Sequence, residues 1–185
     1  MEKIYAETIE EIKDGHVFYQ FQDEDIYLEK LMSFIQSGIT NNQHVLIIEN
    51  LRILPKLRKK INEVLSSEQQ SSIRLVNNYE YYLSTGDFHT ETIINNFQLN
   101  LNELKISNST VRTWAHVEWT SSEPNIELIK EFESVADHAV RMEKTLSVCA
   151  YSTNHLNTTL ISALEELHQY VMTDDSFSLS ASYKK

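Results

Sequence analysis

The sequence predicts an α/β domain, a three-layer sandwich in which a mainly parallel sheet lies between helices. Three observations lead there. Short β-branched or aromatic runs alternate with amphipathic stretches of 12 to 18 residues, the pattern of βαβ units. The run 44–49, His-Val-Leu-Ile-Ile-Glu, is nearly continuous in apolar character, as a parallel strand covered on both faces must be. The chain has 185 residues, 41% of them hydrophobic, enough for one domain (1–185) with a substantial core.

The first strand ends at Phe21 and is followed by an acidic turn, Gln22-Asp23-Glu24-Asp25. A helix then places Leu28, Leu31, Met32, Ile35 and Ile39 on one face, with Gly38 near its C-terminal end. After strand 44–49, Asn50 caps a helix carrying Leu54, Leu57, Ile61, Val64 and Leu65, with Pro55 in its first turns. A short strand covers 72–76, and a helix over 90–106 presents Ile93, Ile94, Phe97, Leu101 and Leu104. The longest strand is read over Thr110 to Trp119. Ser122 and Pro124 open the next helix, marked by Ile126, Ile129, Phe132, Val135, Ala136 and Ala139. A strand over 145–151, a last helix over 157–171 and an edge strand or tail over 177–183 complete the chain.

Composition excludes several functions. A formal net charge of -11 opposes direct contact with nucleic acid or anionic lipid, and the basic cluster Lys56 to Lys60 reads as a solvated helix face. No stretch approaches the roughly 20 apolar residues of a membrane span, and the N-terminus lacks a signal peptide's basic and apolar regions. One cysteine, Cys149, fits a reducing cytoplasm and reads as a small buried thiol. At the first strand-to-helix turn, where a phosphate-binding loop would end in Lys-Ser or Lys-Thr, there is neither Gly nor Lys. Three carboxylates there satisfy the helix dipole and repel a triphosphate.

Ligands in such a sheet bind at the carboxyl ends of the strands. Strand alternation sets Arg112, Trp114, His116 and Glu118 on one face of the long strand, and a polar face in a buried strand calls for a partner. It is either a self-satisfied ladder or the wall of a ligand cavity, with Arg112 pairing with Glu118 or with a ligand carboxylate. The segment 77–88, with three tyrosines within four residues, reads as an aromatic loop beside that end. A competing metal site would bring together His16, Glu49, His116 and Glu118.

In order, His16-Val-Phe-Tyr19, Ser37-Gly38-Ile39, Tyr82-Leu-Ser-Thr-Gly86-Asp-Phe88, Arg112 with Trp119, Glu131-Phe-Glu133, Val148-Cys149-Ala150-Tyr151 and His168 resemble the MEDS domain, a methanogen/methylotroph sensory domain, over about 14–172. The resemblance implies a RecA/KaiC-like fold without a phosphate-binding loop. It implies a non-catalytic sensory module for small, often carbon-containing compounds, found in regulators of transcription and beside anti-sigma-type or histidine kinases; the chain is expected to be cytoplasmic and to use no cofactor. Where the family pattern carries a Gly-Glu pair, this chain has Ala115-His116, with Glu118 two residues on. With no helix-turn-helix or kinase segment after residue 172, the expected partners are a small ligand and a regulatory protein, or a second copy as a homodimer. Candidate ligand-binding residues are His16, Tyr19, Tyr82, Arg112, His116, Glu118 and Tyr151. Two rivals are a pure protein-interaction regulator with a vestigial pocket and a metal-dependent enzyme using His16, His116 and Glu118.

Overall fold

In the computed structural model, residues 8–86, 88–105, 109–121 and 123–184 are described. They form a seven-stranded sheet in the order β3-β2-β4-β5-β1-β6-β7, where β1 is Gly15–Phe21, β2 His44–Glu49, β3 Ile73–Asn77, β4 Val111–His116, β5 Leu146–Ser152, β6 Tyr170–Met172 and β7 Phe177–Leu179. Every pairing is parallel except β6 with β7, which closes one edge. The three-layer expectation holds.

Helices α1 (Glu24–Thr40) and α2 (Leu54–Val64) cover one face. Tyr27, Leu31, Ile35, Leu57 and Ile61 pack there against Val17, Tyr19, Ile47, Trp114 and Val148. The short helix α3 (Ser67–Gln70) starts on a capping box between Ser66 and Gln69. On the opposite face lie α4 (Asn78–Leu83), α5 (Thr90–Leu104), α6 (Ile126–Glu143) and α7 (Thr158–Leu167). Their Tyr81, Tyr82, Ile93, Phe132 and Leu164 meet Phe18, Ile48, Ala115, Cys149 and Tyr151. Consecutive strand residues thus feed two separate cores, the two-residue alternation of a sheet buried on both sides.

Asp23 caps α1 by accepting from the backbone N–H groups of Asp25 (2.8 Å) and Ile26 (3.0 Å). Asn50 accepts from the amides of Arg52 and Ile53, closing the turn that leads into α2, with Pro55 in its first turn as expected. Asn125 caps α6, whereas the expected starter Ser122 lies outside the described residues, as do Ile106 and Asp87.

Three elements differ from the sequence reading. The segment read as an aromatic loop contains α4, capped by Asn77 and held down by Tyr81, Tyr82 and Leu83. The strand read as the longest stops at His116 rather than Trp119, and its six residues make it shorter than β1 and β5, which have seven each. The last helix ends at Leu167, because His168 turns to extended backbone (φ −117°, ψ 135°) and starts the path into β6.

Candidate functional site

The acidic turn after β1 is filled by the protein's own carboxylates. Asp174, just beyond β6, accepts from the backbone N–H groups of Gln22 and Asp23, both at 3.0 Å, and from the Tyr19 hydroxyl at 2.7 Å. Together with the Asp23 cap, two side-chain carboxylates take amides that a phosphate would use in a nucleotide-binding relative of this fold. Burial first, then Asp174, raises the Tyr19 pKa above the ordinary tyrosine value. Tyr19 therefore belongs to a closed structural contact.

Under the carboxyl ends of β2 and β4 lies a buried polar chain. The Trp114 indole N–H donates to the Tyr27 hydroxyl (2.9 Å), which donates in turn to Glu49 Oε2. Glu49 Oε1 faces His116 Nδ1 at 2.6 Å and accepts from the Asn50 backbone N–H at 2.7 Å. Glu118, half-buried at the rim, accepts from the Asn78 and Asn50 side-chain amides and stands 3.6 Å from His116 Nε2. Burial alone would disfavour the His116 cation, yet the Glu49 carboxylate raises its pKa. Burial likewise opposes the charged form of Glu118, and the outcome is a lowered pKa set by His116 and the two asparagine amides. Glu49, His116 and Glu118 thus converge as the metal reading expected, but His16 does not join them, because it faces the other side of the sheet.

His16 lies near the start of β1, beneath α6 and α7. Its Nε2 is 3.4 Å from Glu133 Oε2 and 3.4 Å from Cys149 Sγ, and its ring stacks on His168 with centroids 3.9 Å apart. Tyr151 donates to Glu133 Oε1. Burial opposes ionisation of Glu133, and the neighbouring His168 outweighs it, so the Glu133 pKa is lowered; burial pushes the Tyr151 and Cys149 values well up. Five residues that carry the family resemblance, His16, Glu133, Cys149, Tyr151 and His168, therefore meet in one buried cluster though they span most of the chain.

Arg112 is a correction. It sits at the amino end of β4, far from Glu118 along the strand, with its guanidinium 4.8 Å over the Phe34 ring. It donates to Gln43 Oε1 (2.8 Å) and the Phe34 carbonyl (3.1 Å), and burial lowers its pKa to about 10. This is a brace between α1 and the sheet, which close packing at Gly38 makes possible.

Tyr82 lines an apolar cavity of about 30 Å³ between the sheet and α4, α5 and α6. Tyr81, Ile93, Phe97, Phe132 and Ala136 form its walls, and Thr113, Ser147 and Cys149 its floor. The Thr113 hydroxyl donates to the Ser147 hydroxyl at 2.7 Å, which gives the floor a polar end. Sequence reading found Tyr82 but not its partners, since cavity walls share the apolar periodicity of ordinary core positions.

The two-faced, mostly parallel sheet and its strand order give the chain a RecA-like α/β fold, with a first turn filled by its own carboxylates. Over 88% of its length the chain is similar to a solved structure described as an ATPase domain, with TM-score 0.51, 8% identity and 70% of that chain covered. A second solved structure, the flagellar accessory protein FlaH from Methanocaldococcus jannaschii, matches over 88% of this chain and 72% of that one, at 10% identity and TM-score 0.48. A search of curated protein sequences finds no match. Residues 15–169 match the family described as MEDS, "MEthanogen/methylotroph, DcmR Sensory domain", and the chain belongs to that family. Its role is accordingly sensory or regulatory.

Proposed function

We propose that the chain is a non-catalytic cytoplasmic sensory module that binds a small, predominantly apolar molecule in the cavity beneath α4 and passes the change to a regulatory protein or to a second copy of itself. The cavity carries this reading. Its free volume of about 30 Å³ compares with about 10–15 Å³ for one water-sized occupant, so it suits a compound of one or two carbons. Aromatic walls supply contact area, and the Cys149 thiol and Thr113–Ser147 pair supply one weakly polar end.

Helix α4 is the natural reporter. Tyr81 and Tyr82 face the cavity while Tyr79 on the same short helix is exposed, so an occupant that shifts α4 alters the surface a partner reads. The reading is tested by equilibrium unfolding with a panel of short alcohols and halomethanes. At least one member stabilises the protein, and Ala136→Leu, which fills the cavity, abolishes that stabilisation while circular dichroism stays native. Equal stabilisation of both proteins would refute the site.

A further inference from the structure

The cluster around His16 has features that a hydrogen-bonded core does not need. Four potential donor atoms, His16 Nε2, Glu133 Oε2, Cys149 Sγ and His168 Nε2, lie within 4.8 Å of one another, and they come from four different elements or their ends. Three of the separations are 3.4 Å. Ligands about 2.0–2.3 Å from a tetrahedral ion stand about 3.3–3.7 Å apart, so half of the shell's edges already have the required length.

The lone pairs are also aimed inward. His168 Nδ1 lies 2.8 Å from the Leu164 carbonyl, which only accepts, so this nitrogen carries the proton and Nε2 is left facing the cluster. That Nε2 and Glu133 Oε2 are buried without a hydrogen-bond partner. His16 Nδ1 is likewise buried without a hydrogen-bond partner, and Asp137 Oδ1 stands 3.5 Å from it, so a small approach on metal binding would complete the carboxylate–histidine arrangement that orients a ligating imidazole. Asp137 is itself held by Arg141 (3.0 Å) and Tyr183. Glu133 and Asp137 share one face of α6 at i, i+4, so a single helix supplies a ligand and the group that orients another.

We propose that His16, Glu133, Cys149 and His168 form a closed four-coordinate site for a zinc-like divalent cation. Binding breaks the Cys149 S–H bond and releases its proton to solvent. The carboxylate and thiolate then balance the two positive charges, so the buried shell is neutral. Mixed N, O and S ligands suit zinc rather than magnesium or calcium, which take oxygen ligands. Four protein ligands leave no open position for activating water, so the site is structural or regulatory. It adjoins the proposed ligand cavity at Cys149 but does not depend on it.

The test is titration of chelator-dialysed full chain with Co(II), without any small-molecule ligand. One equivalent binds, giving the visible bands of a tetrahedral site and a thiolate-to-cobalt charge-transfer band, and Zn(II) displaces it. Cys149→Ser loses the charge-transfer band. Asp137→Asn, which removes no ligand, weakens binding by about 10–100-fold, and His116→Asn leaves it unchanged. Absence of stoichiometric uptake, a charge-transfer band retained in Cys149→Ser, or uptake that depends on His116 would each overturn the proposal.

Discussion

The Glu49 carboxylate and the His116 imidazole, 67 residues apart in sequence, meet at 2.6 Å beneath the ends of β2 and β4, both almost fully buried. Burial of the imidazole opposes its charge and the carboxylate overrides it, raising the His116 pKa. A raised value in the folded state means stability that is fully present below the ordinary histidine value of about 6.5 and lost as pH rises through the folded value. Urea denaturation of wild type and His116→Asn should therefore show a stability gap that is widest below about pH 6.5 and narrows at higher pH. A gap that widens with rising pH contradicts the pairing.

Tyr27 links this pair to the core. Its hydroxyl accepts from Trp114 and donates to Glu49, so Tyr27→Phe leaves a buried indole N–H and a carboxylate oxygen without partners. The expected cost is about 1–3 kcal/mol in equilibrium unfolding, with little change in secondary structure. A neutral substitution would show that the hydroxyl is not the hub described.

At the other end of β4, a Cβ on Gly38 would come within 2.9 Å of both Arg112 Cδ and Val45 Cγ2. Gly38→Ala should destabilise by about 1–3 kcal/mol through overpacking. Arg112→Ala should also destabilise, through loss of its bonds to Gln43 and Phe34. In a double-mutant cycle Gly38→Ala should cost less in the Arg112→Ala background, because one of the two clashing groups is gone. Additive costs would refute the contact.

Asp174 fastens β6 to the first turn. Asp174→Ala frees the Tyr19 hydroxyl and the amides of Gln22 and Asp23. Hydrogen exchange at those two amides should accelerate while Val17 and Phe18 stay protected. Unchanged exchange would mean that the carboxylate does not hold the turn.

Much of this was legible in the sequence. The apolar runs marked the strands, and alternation correctly put Arg112, Trp114 and His116 on one face of β4. Gly38 was visible as a special position, but as a terminator; its role is close approach of Arg112 and Val45, which no local pattern reveals. Helix α4 escaped notice because six residues show less than two full helical turns and tyrosines favour no single state. The end of α7 was set by tertiary demand, since His168 must reach both the Leu164 carbonyl and the His16 ring. The His16 cluster could not be read from spacing: its members come from β1, α6, β5 and the residue after α7.

The most direct test of the sensory reading is methyl NMR of the wild-type protein under xenon pressure, since xenon enters dry apolar cavities. Saturable shifts confined to the methyl groups that line the cavity, among them Ile48, Ile93, Ala115 and Val140, and lost from those four in Ala136→Leu, are predicted. No saturable shift there, or shifts unchanged by filling the cavity, would contradict a binding cavity beneath α4.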